Sequence, residues 1–262
     1  MQVVWRFSAF AHEQPDPGVW ARIAALTQRL DTGVATIRLG VIGSAQDRDA
    51  LASELGQVPG AVFTFAPDTR YDDGDRSTAD YVGVFPRQER LRVTNAEVLV
   101  GAGPCPSCAL EDTFDASQTG PFAIALPVPT GDTSALPGGG MAVSSRFVDV
   151  LLDIAATGGT VTEIRLGDGV VAPWSQLVAD HGVLVPSART HVDGDGFCPL
   201  CGRALGNVHG QLWIEPVGVD IFSRHPGRRA MLCFSRRLLD ALDASGIDDL
   251  ELGDPLRVVA SG

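Results

Sequence analysis

Four cysteines arranged as two CxxC pairs, Cys105-Pro-Ser-Cys108 and Cys198-Pro-Leu-Cys201, carry the clearest chemical pattern in the chain. Two cysteines three apart on a tight turn can aim both sulfurs at one ion, and two such turns complete a tetrahedral thiolate site. Proline stiffens each turn, and Gly202 after the second pair can adopt the left-handed backbone that brings N–H groups close to the thiolates. The first pair is followed by Ala109 instead of glycine. Cys105, Cys108, Cys198 and Cys201 are therefore the expected ligands of one metal ion, zinc by preference, with iron the other cation such a set accepts. Four thiolates leave no open coordination position, so the expected role is structural and not catalytic.

Ligands so far apart must be positioned by two similar elements. Residues 109–197 separate the pairs, far more than the roughly 15–20 residues of an ordinary zinc ribbon. Similar segments follow each pair: Met141-Ala-Val-Ser144-Ser-Arg146-Phe-Val-Asp149-Val-Leu151 and Met231-Leu-Cys-Phe-Ser235-Arg-Arg237-Leu-Leu-Asp240-Ala-Leu242. The serines and the aspartates both stand 91 residues apart, the first cysteines 93, Pro137 and Pro226 89, and Gly167 and Gly253 86. A nearly constant offset through ordered matches predicts two copies of one supersecondary unit, at about residues 100–168 and 193–254. Each copy reads as knuckle, strand, serine-capped helix, glycine stop and short strand. Ser144 and Ser235 are the expected N-caps. Phe147, Val148, Leu151, Leu152 and Ala155 repeat at helical spacing, as do Leu238, Leu239 and Leu242. Gly158 and Gly246 are the expected helix stops.

Ahead of the knuckles, Val3–Phe10, Ala35–Ile42 and Ala61–Phe65 have strand character, with helical patterns over Val19–Leu30 and Asp47–Leu55. This β-α-β-α-β order predicts a small α/β layer. The expected organisation is an N-terminal α/β region over residues 1–95 and a duplicated zinc-stapled domain over 96–262. The expected class is α+β, with the duplicated knuckle–strand–helix–strand unit stapled by a zinc-ribbon-like four-cysteine site.

The chain has 262 residues, mean hydropathy +0.12 and net charge −12. All 20 basic residues are arginine, so a Walker phosphate loop, a Schiff-base lysine and a serine–lysine dyad are excluded. Acidity disfavours nucleic acid, whose binding modules neutralise phosphates with a basic surface. No apolar run is long enough for a membrane helix, and Met1-Gln-Val-Val-Trp-Arg lacks the pattern of a signal peptide. A cytoplasmic, reducing location is expected, which suits thiolate–metal bonds better than disulfides. Cys233 is expected to be a small buried apolar side chain. Asp193-Gly-Asp195-Gly196 resembles the start of a calcium loop, but Ala204 stands where an EF-hand needs its glutamate. His191 and His209 flank the second pair and are alternative ligands only if a thiolate is missing. No nucleophile–base pair with usable spacing is evident, so no enzyme activity is expected.

Gly103-Pro-Cys105-Pro-Ser-Cys108, the long middle segment, Cys198-Pro-Leu-Cys201-Gly202 and the closing Ser235-Arg-Arg-Leu-Leu-Asp-Ala-Leu242 resemble the double-CXXCG family of bacterial proteins, over about residues 96–254. The resemblance implies an immunity-type protein that neutralises a bacterial toxin. Ala109 departs from the family pattern, and the leading residues 1–95 match no family motif. Three function classes follow. The first is a zinc-binding, non-catalytic module whose negative charge suits a basic protein partner such as a toxin. The second is a zinc ribbon that contacts nucleic acid or transcription machinery. The third is a CxxC thiol–disulfide oxidoreductase, which needs its CxxC to open a helix.

Overall fold

The computed structural model describes residues 2–10, 17–26, 29–32, 37–58, 61–87, 91–95, 99–100, 105, 107, 117–118, 121–126, 130–136, 140–182, 188–192, 196–198, 205, 208–225 and 228–259. The chain opens with β1 (Gln2–Phe10), α1 (Pro17–Leu26), β2 (Arg29–Thr32), β3 (Ile37–Ile42), α2 (Ala45–Gly56) and β4 (Val62–Arg70). These four strands form one sheet of order β2-β3-β1-β4 with every pairing antiparallel. That is the split β-α-β, ferredoxin-like arrangement. Ser44 starts α2 by accepting the Asp47 N–H. Leu51 and Leu55 then face Phe7, Ile23 and Ile42 across the layer.

Next come α3 (Asp73–Ser77), β5 (Tyr81–Pro86), β6 (Leu99–Val100), β7 (Ser117–Gln118), β8 (Ala123–Ile124) and β9 (Thr133–Ala135). They are followed by β10 (Met141–Ser144), α4 (Ser145–Asp153), β11 (Gly159–Leu166) and β12 (Val171–Ala179). The chain closes with β13 (His191–Val192), β14 (Val208–His209), β15 (Leu212–Ile214), β16 (Ile221–His225), β17 (Arg228–Ser235), α5 (Arg236–Ala244) and β18 (Leu250–Val258). Two five-stranded sheets result, of order β8-β11-β12-β10-β9 and β15-β18-β5-β17-β16. The pairs β6·β7 and β13·β14 stand apart as two-stranded sheets.

Strand alternation divides the core into three parts. Met141 and Val143 of β10, with Leu232 and Phe234 of β17, point to a shared central core that α4 and α5 fill with Phe147, Leu151, Leu238 and Leu242. The residues between them point outward: Ala142 joins Trp174 and Phe122 behind one sheet, and Cys233 joins Tyr81 and Phe222 behind the other. Cys233 is fully buried. Leu152 lies 72% exposed, because the inward face of α4 runs through Phe147, Val150 and Leu151.

Both helices start as their serines require. Ser144 accepts the Phe147 N–H and Ser235 the Leu238 N–H, each at 3.2 Å. Their ends match as well, with Ala156 N–H donating to Leu151 O and Ile247 N–H to Leu242 O. The left-handed position is held by Gly246 (φ 70°) in α5 but by Ala155 (φ 49°) in α4. Gly158, the expected stop of α4, instead lies just ahead of β11, at φ 85°. A Cβ there would lie 2.3 Å from Ile221 O. An alanine in the left-handed region is strained by about 1–2 kcal/mol, so Ala155→Gly is expected to stabilise the chain by about 0.5–1 kcal/mol after the added chain entropy. Urea denaturation checks this as a higher midpoint at unchanged m-value.

The expected α+β class is corrected. Eighteen strands and five helices make the described residues β-rich. The leading layer has the expected strands at its core, but it gains β2, where Arg29 and Leu30 pair with Val41 and Gly40 in place of a longer first helix. Its sheet is antiparallel. Tyr81–Pro86, read with the leading region, forms the middle strand of the last sheet, between β18 and β17. The zinc-ribbon-like unit is also overturned as a description of the fold. The knuckle hairpins are minor additions to sheets that carry their own apolar cores, and no group of three or more His, Cys, Asp or Glu side chains gathers among the described residues. Among those residues, no helix is long and apolar enough to cross a membrane.

Candidate metal centre

Cys105 lies in the connection from β6 to β7, and Cys198 in that from β13 to β14. Though 93 residues apart, their sulfurs are 3.8 Å from each other. Both side chains are buried, Cys105 to 9% exposure and Cys198 to 1%. The separation is far too long for a disulfide, whose sulfurs sit about 2.05 Å apart, and neither cysteine is in one. It equals the edge of a tetrahedron of sulfurs each about 2.3 Å from a central zinc, which is about 3.8 Å. An S–H···S hydrogen bond between neutral thiols also has this length, and a thiophilic cation would take both sulfurs as thiolates. The donor set at this point therefore fits a thiophilic metal.

Of the four expected ligands, Cys105 and Cys198 are brought together; Cys108 and Cys201 lie outside the described residues. So do Asp193 and Asp195 of the calcium-like sequence. His191 and His209 face each other as paired residues of β13 and β14. Leu99 pairs with Gln118 in the equivalent place of β6·β7. Ser107, inside the first pair, is an exposed turn residue, and the next described elements after the two CxxC pairs are strands β7 and β14. The second knuckle also touches the leading layer. Gly210 N–H donates to Thr69 Oγ1 at 3.1 Å, and Tyr71 Oη donates to Gly210 O at 2.6 Å. No family model matches the sequence, and no curated protein matches it.

Sequence reasoning missed a pair of polar clamps between the two large sheets. Asp220 accepts from Ser235 Oγ (2.8 Å), Arg237 Nε (3.0 Å) and the Thr157 N–H (3.0 Å). Arg237 also caps the end of α4 by donating to Ile154 O at 3.0 Å. Asp132 accepts from Ser144 Oγ (2.6 Å) and Arg146 Nη1 (3.0 Å), and Arg146 donates to Ser245 O at the end of α5. The signal was present in the shared spacing Ser144-x-Arg146 and Ser235-x-Arg237, each with an aspartate upstream.

Two acidic segments, Asp72-Asp73-Gly74-Asp75 and Asp248-Asp249, largely satisfy their carboxylates within the fold. Asp72 and Asp75 form a capping box on α3. Asp249 Oδ2 accepts the Asp132 and Thr133 N–H groups, each at 2.7 Å. Asp73 and Asp248 remain exposed.

Proposed function

We propose that this chain binds one zinc ion through Cys105, Cys108, Cys198 and Cys201 and acts, without catalysis, by binding a basic protein partner. The 3.8 Å approach of the buried Cys105 and Cys198 sulfurs carries this reading, because it matches the edge of a zinc–sulfur tetrahedron. The ion ties the β6·β7 hairpin to the β13·β14 hairpin and is structural. Cys105 and Cys198 both stand on connections between paired strands, as knuckle cysteines do. The net charge of −12 supports a basic partner and disfavours nucleic acid. The double-CXXCG resemblance supports an immunity-type role, neutralising a bacterial toxin in the cytoplasm.

Two measurements test the two halves of the proposal. Elemental analysis of protein purified under reducing conditions is expected to find one zinc per chain, and a metal-free folded protein would refute the site. Co-expression with the product of the neighbouring gene, in cells harmed by that product, is expected to protect them. The complex should form faster at low salt, since charge steering is screened within about 10 Å at 0.1 M. Absence of both protection and a low-salt complex would refute the partner.

A further inference from the structure

We propose that residues 81–258 are a covalently joined dimer of one repeated unit, 81–166 and 171–258, in which each unit supplies the central strand of the other unit's sheet. The natural partner of the unit's sheet face is thus a second copy of the same unit, reached here within one chain. The inference does not depend on the metal.

Strand register carries the argument. Around β12, Ser144 pairs with Trp174, Val143 with Ser175 and Ala142 with Gln176. Around β5, Ser235 pairs with Tyr81, Phe234 with Val82 and Cys233 with Gly83. On the other side, Gly159, Thr160 and Val161 pair with Ala179, Val178 and Leu177. Leu250, Glu251 and Leu252 pair with Pro86, Phe85 and Val84. These six pairs of one sheet map onto the six of the other when 91 is added to β10 and β11 and 93 is subtracted from β12. The second value is also the spacing of Cys105 and Cys198. The registers part at the β-bulges, between Glu163 and Arg165 in one sheet and between Leu252 and Pro255 in the other.

The outer strands match too, at constant offsets of their own, 89 from Ala123 to Leu212 and 88 from Thr133 to Ile221. The parallel pair Arg165–Ala123 maps onto Leu256–Leu212, and the antiparallel pair Val143–Thr133 onto Phe234–Ile221. In the knuckle hairpins, Leu99–Gln118 maps onto His191–His209. A one-residue slip would turn each strand's apolar set to the wrong face, so agreement of the six central pairs ahead of the bulges is a strong constraint.

In sequence, β5 precedes the first knuckle as β12 precedes the second, yet β5 lies in the later sheet and β12 in the earlier one. The first strand of each unit is therefore exchanged. The clamps are reciprocal in the same way. Arg146 of the first unit meets Ser245 O of the second, and Arg237 of the second meets Ile154 O of the first. Contacts in which i meets j and the equivalent of j meets the equivalent of i define an isologous, twofold interface. Neither unit can complete a five-stranded sheet, or supply more than one CxxC pair, without the other.

The four residues of the β11–β12 turn, Gly167-Asp168-Gly169-Val170, are all exposed, so a protease recognition sequence inserted there in the full chain should be tolerated. After complete cleavage, the two fragments are expected to co-elute as the uncut chain does, in zinc and equally in chelator with reductant. Fragments that separate in chelator while each keeps its native circular dichroism would overturn the exchange. Association in chelator also separates this inference from the metal, whose absence would leave it standing. A second measurement uses the unmodified protein. Native-state hydrogen exchange is expected to give β10, β12, β17 and β5 slowest-amide protection within about tenfold of one another, as one cooperative unit. A gap of about a hundredfold or more between the sheets would show independent opening and overturn it.

Discussion

Replacing Cys198 with serine in the full chain is expected to abolish stoichiometric metal binding and to lower the melting temperature by about 6–12 °C. Metal binding is folding free energy where a site does not preexist in the unfolded chain, and structural zinc contributes about 10–16 kcal/mol in small zinc-finger peptides. Here the sheets have their own cores, so the global loss is smaller, about 3 kcal/mol, at about 2–4 °C for each kcal/mol in a chain of this size. The local loss is larger. β6·β7 and β13·β14 are pairs of two-residue strands, and an isolated two-stranded hairpin is marginal in water. Amide exchange at Leu99, Ser117, Val192 and Val208 is therefore expected to rise first, while β10 and β17 stay protected. The Gly210 contacts to Thr69 and Tyr71 should loosen with them. Cys105→Ser should reproduce the effect. Cys233→Ser should leave the metal in place, because Cys233 packs with Tyr81 and Phe222. Unchanged metal content and melting temperature in Cys198→Ser would remove the structural zinc reading.

Local signals in the sequence were readable where one residue type settles a local geometry. Ser144 and Ser235 cap helices because a serine oxygen satisfies a first-turn N–H whatever surrounds it. Gly246 ends α5 because the left-handed region favours glycine. The same reasoning failed at α4, where surrounding structure holds Ala155 in that region and Gly158 is required by its contact with Ile221 O. Strand direction was not legible, since alternation in Val3–Phe10 is the same for parallel and antiparallel neighbours. The place of β5 was equally hidden. Tyr81-Val-Gly-Val-Phe85 reads as a strand, but nothing in five residues says that its neighbours are β17 and β18, some 150 residues away. The match of the units was visible in their helices but not in their first strands. Tyr81 stands where Trp174 does and Gly83 where Gln176 does, so only the register reveals the equivalence. For the metal site, spacing pointed to all four cysteines, and the structure brings Cys105 to Cys198 across the two knuckles.

Asp220→Asn is expected to cost about 2 kcal/mol at pH 7, and to cost almost nothing near pH 2. Burial alone would push this carboxyl up, since its side chain is only 8% exposed. Hydrogen bonds from Arg237, Ser235 and the Thr157 N–H, with the nearby Arg237 charge, outweigh that and hold it at about 2, against 3.8 for an ordinary aspartate. A depressed folded pKa contributes stability that is present above the unfolded value and is lost as pH falls through the folded one. The wild-type advantage should therefore be full above about pH 5 and fade between pH 4 and pH 2, at about 1.4 kcal/mol per pKa unit. Asparagine keeps the shape and one acceptor but loses the charge, so its stability should lack this slope. Asp132→Asn is the internal control. Its clamp pairs with Arg146, which is 53% exposed, and its own side chain is 17% exposed, so a loss of about 1 kcal/mol or less is expected. Urea midpoints of both variants and the parent at pH 7, pH 4 and pH 2.5 decide the matter. A deficit in Asp220→Asn that stays the same at pH 2.5 as at pH 7 would mean that packing, and not the buried charge, makes Asp220 matter to the joint between the two sheets.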